Sequence, residues 1–198
     1  MNITELKEHD PKRFEREYWE WVKDEPYYEW WDFTYDRFVE TAEAAGVSVD
    51  PKSITFSLSY SQGDGAEFSG YVDLAKWMEL HGYADTYLAL YLDASEYGAG
   101  CSVTNHGGGY GMRTSLDFYP GNCSPSGVFK DLPQEDWDAL VEEQLAAEDW
   151  EKLILDHCDA LAYDLYKQLQ EEYEYLTSEE QFIEHCNAND VEFETEEI

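Results

Sequence analysis

The spacing of apolar and polar residues changes twice along the chain. In residues 1–52, apolar residues recur at helical spacing and predict two helices, one that starts at Asp10 and one that covers residues 25–46. The run at residues 27–35 holds more aromatic side chains than one helical stripe can bury. We expect most of them in the core, and contact with a partner is the open alternative.

Strict alternation of apolar and polar residues follows in residues 53–130 and predicts two β-hairpins. In the first hairpin, residues 53–60 lead into a turn around Asp64, and two registers of the returning strand fit the pattern. The second hairpin joins residues 101–104 to residues 112–118 through a glycine-rich turn. The two hairpins together predict four antiparallel strands.

Helical signals lie between the two hairpins. Asp73 is expected to cap a short helix that ends near His81. Residues 86–92 fit either a buried strand or a helix capped by Asp85, and we favour the helix because their apolar residues also form a stripe.

After Pro133 the apolar residues return to helical spacing. They form two stripes, which consist of Trp137, Leu140, Val141 and Leu145, and of Trp150, Ile154, Cys158, Leu161, Leu165 and Leu169. The second stripe predicts a helix of about 25 residues, roughly 40 Å long. A capping box at Ser178 predicts a last short helix, and residues 187–198 are expected to fray.

These elements predict an α+β fold. A four-stranded antiparallel sheet in residues 53–130 is flanked by the N-terminal helices of residues 1–52 and by a long acidic helical region in residues 131–198. Because no Pro-rich or Ser-rich linker separates these parts, we expect one domain over residues 1–198.

Charge is the most unusual property of the composition. The chain has 45 Asp and Glu against 12 Lys and Arg, a formal net charge of −33. Residues 131–198 hold 23 of these acids and only two bases, Lys152 and Lys167. Such a chain is repelled by nucleic acid and by anionic membranes, so its expected partners are basic proteins or multivalent cations. Adaptation to high salt is a weaker explanation, because Glu outnumbers Asp and large aromatics are plentiful.

The predicted long helix gives the carboxylates a fixed spacing. Helix neighbours three or four positions apart lie about 5–6 Å from each other, which is comparable to the spacing of successive phosphates along a nucleic-acid strand. A merely solvated acidic face is the competing interpretation. The residues that we predict to bind a partner are Asp149, Glu151, Asp156, Asp159, Asp164, Glu171, Glu172 and Glu174.

Other chemistry is weakly supported. The pairs His157-Cys158 and His185-Cys186 lack the spacing of zinc ligands, and adjacent helical residues diverge by about 100°. The glycine-rich turn lacks the lysine of a phosphate-binding loop, and Asp64 has no convincing nucleophile or histidine partner. We therefore expect no catalytic residues, no metal and no cofactor. The four cysteines have no framework spacing, so we expect reduced thiols.

The stretch Ser57-Leu-Ser-Tyr-Ser-Gln-Gly-Asp-Gly-Ala66, followed by Phe68 and Gly70, resembles a segment of small acidic bacteriophage proteins. The resemblance covers about 20 residues, with a looser echo at residues 99–119. It implies a phage-like source, in which acidic DNA mimics inhibit restriction, CRISPR or other DNA-acting host systems. It assigns no functional residue.

The sequence thus predicts a cytoplasmic, non-enzymatic DNA mimic that occupies the nucleic-acid cleft of a basic host protein. One alternative is an antitoxin or assembly factor that masks a basic partner without imitating DNA. A metal-dependent hydrolase that uses clustered carboxylates is a third hypothesis. No signal peptide or membrane span is expected, and we leave a homodimer open.

Overall fold

The computed structural model describes residues 1–24, 29–59, 63–106, 113–119 and 124–194. The chain divides into two compact units. Unit 1 consists of Met1–Phe33 and Gln168–Ile198, and unit 2 consists of Thr34–Lys167. The single-domain organisation stays a prediction.

Helices are the regular secondary structure of the described part of unit 1. It contains α1 (Ile3–His9), α2 (Pro11–Asp24), the end of α7 (Trp150–Leu176) and α8 (Glu179–Ala188). The predicted starts of α2 and α8 are confirmed. The sequence analysis missed α1, which begins with a capping box. Asn2 Oδ1 accepts from the Glu5 amide at 2.9 Å, and the Asn2 amide donates to Glu5 Oε2 at 3.0 Å.

The core of unit 1 joins α1 and α2 to α8. Its buried residues are Ile3, Leu6, Phe14, Phe182 and Cys186. The predicted fraying of the C-terminal residues is wrong as far as residue 194, because the backbones of Met1 and Phe193 exchange two hydrogen bonds of 2.9 and 3.0 Å. The last four residues of the predicted fraying segment lie outside the described residues.

Unit 2 contains an antiparallel sheet whose longest strand pairs with three others. The strands are β1 (Val47–Val49), β2 (Thr55–Ser57), β3 (Gly65–Asp73), β4 (Gly100–His106) and β5 (Arg113–Tyr119). Strand β3 pairs with β1, β2 and β4, and β4 pairs with β5. Both predicted hairpins are therefore confirmed. The sequence analysis missed β1, which is only three residues long.

Burial decides the register that the sequence left open. In the first hairpin, Phe56 pairs with Ala66, and this register buries Ala66 and Phe68 while Glu67 is half-buried. The first predicted strand is shorter than expected, because a 3₁₀ turn over Pro51–Ser53 precedes it. Residues 60–62 and the glycine-rich turn at residues 107–112 lie outside the described residues.

The helices of unit 2 pack on one face of the sheet. This face is lined by Val47, Val72, Cys101 and Val103, whereas Ser48 and Ser102 on the opposite face are exposed. Helix α3 (Asp32–Ala44) contributes Phe38, whose ring centroid lies 5.4 Å from that of Phe68. After α3 the chain reverses direction at Gly46, which adopts a left-handed φ of 85°.

The remaining helices mostly follow the predictions. They are α4 (Leu74–Leu80), α5 (Leu88–Tyr97), α6 (Gln134–Ala147) and α7. Asp73 caps α4 as expected, with its Oδ1 accepting from the Lys76 amide at 3.0 Å. The ambiguous segment ends in a helix, but the predicted Asp85 cap is wrong because α5 begins after Tyr87. Helix α3 begins at Asp32, later than predicted, because a turn precedes it.

No helix among the residues that the structure describes combines the length and the apolar character needed to cross a membrane. Helix α7 has 27 residues, but it alternates buried apolar and exposed acidic positions.

Candidate partner-binding surface

The position of α7 depends on its apolar stripe, in which the sequence analysis predicted all the buried residues except Ala162 among those described. All six predicted residues are buried. In unit 2, Cys158 is fully buried, and burial raises the pKa of its thiol, and that of Cys101 in β4, to about 12. Thr114 in β5 also hydrogen-bonds to Asp159 of α7. The part of the stripe that lies in unit 2, from Trp150 to Leu165, therefore holds this part of α7 against the sheet of the same unit.

The structure separates the five predicted acidic residues of unit 2 by their contacts. Asp149 precedes α7 and accepts from the Lys152 amide at 3.2 Å, so it acts as a helix cap. Asp159 is half-buried, and it is bound to Thr114 of the sheet. One carboxylate oxygen of Asp159 is therefore engaged by the sheet, and its assignment to the binding surface stays a prediction.

The other three acidic residues of unit 2 are exposed. Asp156 lies 3.6 Å from Lys152, but both side chains are more than half exposed, so this ion pair is weak. Glu151 and Asp164 have no ion pair or hydrogen bond from a side chain of the described residues. At about 100° per residue, Asp156 lies opposite the buried stripe, Asp164 lies at about a right angle to it, and Glu151 lies on its side of the helix. The predicted acidic residues therefore do not form a single face opposite the stripe.

Glu171, Glu172 and Glu174 lie in unit 1, and all three are exposed. Glu174 accepts from Gln170 Nε2 at 2.9 Å. Glu172 follows the buried Leu169 by three positions and so shares its side of α7, whereas the other two point away from it. The predicted set is thus divided between the two units.

Helix α6 carries the denser acidic surface, which the sequence analysis missed. We call Glu135, Asp138 and Glu142 the α6 acidic face, because they follow each other at three and four positions and all are exposed. This spacing places neighbouring carboxylates about 5–6 Å apart at their Cβ atoms. The helix carries no Lys, Arg or His to neutralise them. The absence of bases in residues 134–147 was the sequence signal that could have identified this face.

The helix dipole does not explain why α6 carries acidic residues along its whole length. Glu135 and Asp136 lie in the first turn of α6, where the helix dipole favours negative charge. Glu142 and Glu143 lie in the second half of the helix, where the dipole offers no such compensation. Like charges at three or four positions destabilise a helix by a few tenths of a kcal/mol per pair. The structural benefit of the acidic residues is therefore confined to the first turn.

The paired His and Cys residues serve packing in this structure. Trp77 Nε1 donates to His157 Nδ1 at 2.8 Å, while the adjacent Cys158 is buried. Cys186 belongs to the core of unit 1. No group of three or more His, Cys, Asp or Glu side chains that could hold a metal ion is found within the described part of the chain. Cys101, Cys158 and Cys186 are free thiols, and Cys123 lies outside the described residues.

The aromatic run at residues 27–35 is divided in its exposure. Trp30 is half-buried, and its ring lies 5.8 Å from that of Tyr173 within unit 1. Phe33 is 76% exposed. In unit 2, the ring of Tyr35 contacts that of Phe56 edge-on at 6.2 Å. Tyr27 and Tyr28 lie outside the described residues.

One family model, described as Domain of unknown function (DUF8835), matches residues 30–179. The chain belongs to this family. The DUF8835 match includes the sheet, the α6 acidic face and all eight acidic residues that the sequence analysis predicted to bind a partner. Helices α1 and α2 precede it. No curated protein and no solved structure matches the chain.

Proposed function

We propose that this protein is a polyanionic binding protein that occupies the nucleic-acid site of a basic protein. The α6 acidic face and the exposed Asp156 and Asp164 of α7 take the place of phosphates. The observation that carries the proposal is the α6 acidic face, a ladder of exposed carboxylates on a helix without a single base. Such a field attracts basic clefts and repels nucleic acid itself.

The rigidity of the helix supports binding rather than simple solubility. A fixed row of charges loses less conformational entropy on association than a mobile acidic tail does. Trp137 and Val141 anchor α6 by burial on the side away from the solvent. The carboxylates therefore remain at helical spacing before a partner arrives.

The proposed partner is a host defence or DNA-processing protein, such as a restriction or CRISPR component. This part of the proposal rests on the resemblance of the Ser-Gln-Gly-Asp-Gly segment to acidic phage proteins. The association is steered by charge, so its rate falls as salt screens the field.

A pull-down from bacterial lysate at low salt identifies the partner, and competition with labelled duplex DNA then tests the mechanism. We expect the protein to displace the DNA. The triple variant Glu135→Lys, Asp138→Lys, Glu142→Lys should weaken binding by about tenfold or more. It replaces the three carboxylates with positive charges, which the basic partner repels.

The matched control reverses Asp36, Glu40 and Glu43 on α3. These residues are also exposed, have nearly the same spacing and belong to the same unit, so the change in net charge is identical. The control should lose much less affinity. Equal losses in both variants, or a partner whose bound DNA is not displaced, would contradict the proposal. A partner masked outside its nucleic-acid site would instead support the antitoxin or assembly-factor hypothesis.

A further inference from the structure

Unit 1 contains an open groove that has no part in the proposed function, which rests on the acidic helices of unit 2. The groove has a volume of about 370 Å³ and lies against α1, α2 and the start of α8. Three aromatic residues and three charged residues line most of it, namely Phe14, Tyr18, Trp19, Lys7, Glu15 and Glu179.

The aromatic wall of the groove is partly open to solvent. Phe14 is buried, but Trp19 is 53% exposed. The rings of Tyr18 and Trp19 lie 5.0 Å apart, and the Tyr18 hydroxyl is held by the backbone carbonyl of Thr177 at 2.7 Å. Trp19 therefore presents its exposed indole ring at the groove, next to the fixed Tyr18 ring, and tryptophan is enriched at binding hot spots.

One end of the groove already holds a cation from the chain itself. Lys7 Nζ lies 4.9 Å from the ring centroid of Phe14 and 2.6 Å from Glu179 Oε2. An ammonium over an aromatic ring and beside a carboxylate is a favourable arrangement, because the ring quadrupole and the anion attract the same charge. This end shows that the side chains of the groove can bind a cationic group.

A second part of the lining, which we call the Glu15–Trp19 end, offers a carboxylate and an aromatic ring without a paired cation. Glu15 and Trp19 are one helical turn apart on α2, and Glu15 is exposed. Among the described residues, no basic side chain forms an ion pair with Glu15. The nearby Arg16 and Lys23 pair with Glu17 and Glu20. The Glu15–Trp19 end thus combines an aromatic face with an unneutralised carboxylate.

We propose that the Glu15–Trp19 end of this groove binds an arginine side chain of a basic protein partner. The planar guanidinium stacks on the Trp19 indole and donates to the Glu15 carboxylate. Arginine suits this site better than lysine, because its planar group stacks on aromatic faces and loses its hydration more easily. The inference goes beyond the proposed function and shares with it only the expectation of a basic partner.

The test uses the full-length protein and a blocked Gly-Ser-Gly-Arg-Gly-Ser-Gly peptide in an NMR titration. The indole N–H signal of Trp19 is assigned by its loss in Trp19→Phe. We expect the arginine peptide to shift this signal in a saturable way. The matching lysine peptide should bind several-fold more weakly, and the citrulline peptide, which lacks the charge, should not bind.

Two variants locate the site. Trp19→Ala and Glu15→Gln should each weaken binding of the arginine peptide by about fivefold or more, followed on other signals of α2. Both positions are exposed, so neither substitution removes core packing. Glu8→Gln is the control. Glu8 is exposed on α1 and lies outside the groove, so this substitution removes the same charge as Glu15→Gln without changing the site. It should leave the affinity unchanged.

Four results would each overturn the inference. They are an unperturbed Trp19 signal, equal binding of the citrulline peptide, equal binding of the lysine peptide, and an equal loss of affinity in Glu8→Gln and Glu15→Gln. The α6 reversal variant should titrate like the wild type in this experiment. Failure of the groove and failure of the DNA competition are therefore separate outcomes.

Discussion

One oxygen atom of Asp64 accepts three hydrogen bonds near the tip of the first hairpin. Asp64 Oδ1 accepts from Ser57 Oγ at 3.0 Å, from the Ser59 amide at 2.9 Å and from Ser59 Oγ at 2.8 Å. The serines of the phage-like segment therefore hold the aspartate of the same segment. This arrangement gives the motif a structural purpose, because it ties the end of β2 to the start of β3.

We predict that Asp64→Ala lowers the free energy of unfolding by about 1–3 kcal/mol, since hydrogen bonds to a charged group are stronger than neutral ones. Urea unfolding monitored by circular dichroism measures the change. Asp117→Ala on β5 is the control, because Asp117 is exposed, and it should change stability by no more than about 0.5 kcal/mol. Similar losses in both variants would show that the three hydrogen bonds contribute little.

At the scale of elements, a cluster of rings links α4 to α7 within unit 2. Besides the Trp77–His157 hydrogen bond, the ring of His81 stacks on Trp77 at 4.3 Å and meets His157 edge-on at 4.7 Å. Burial lowers the pKa of both histidines, and repulsion from His81 lowers that of His157 further. The accepting Nδ1 requires the neutral form of His157, so protonation removes the hydrogen bond.

This link predicts a pH-dependent stability. Because the pKa of each histidine is lower in the folded state than its ordinary value of 6.5, the unfolded chain takes up protons first as the pH falls. The contribution of the pair is therefore complete above about pH 6.5 and is lost as the pH falls toward the folded pKa values. Urea unfolding at several pH values between about 5 and 8 measures the slope.

The variant His157→Asn tests the assignment, because the Asn oxygen can accept from Trp77 but does not titrate. We expect a shallower decline of stability at acidic pH than in the wild type. His9→Asn, at an exposed position near the end of α1, should leave the decline unchanged. A wild-type slope in His157→Asn would show that other groups cause the pH dependence.

At the scale of the whole molecule, the net charge of −33 opposes folding and favours basic partners. Salt should therefore act in opposite directions on the two equilibria. We expect NaCl up to about 0.5 M to raise the free energy of unfolding, because screening weakens self-repulsion. The same salt should weaken the proposed association.

Chemical unfolding by urea and partner binding, both measured over one salt series, check this prediction. The α3 reversal variant is less acidic and should gain less stability from salt than the wild type does. If stability falls with salt, favourable ion pairs outweigh the self-repulsion. If binding is insensitive to salt, the carboxylates are not the main contact.

Local periodicity determined most of the elements of this protein. The stripe from Trp150 to Leu169 identified α7, because a run of six apolar residues at helical spacing leaves little ambiguity. The alternation in the hairpins identified their strands in the same way. Helix α1 and strand β1 have seven and three residues, which is too short for a period to appear. The capping box of α1 was nevertheless present in the sequence.

Only the tertiary structure decided which carboxylates remain available to a partner. The position of Asp159 on α7 predicts a surface residue, but Thr114, 45 residues earlier in the chain, binds it. Periodicity could not show this contact, because it depends on how α7 lies across the sheet. The sequence alone did determine that the chain is strongly acidic. Packing decided that the carboxylates of the α6 acidic face are exposed and that Trp19 borders a groove, because burial selects which side of a helix faces solvent.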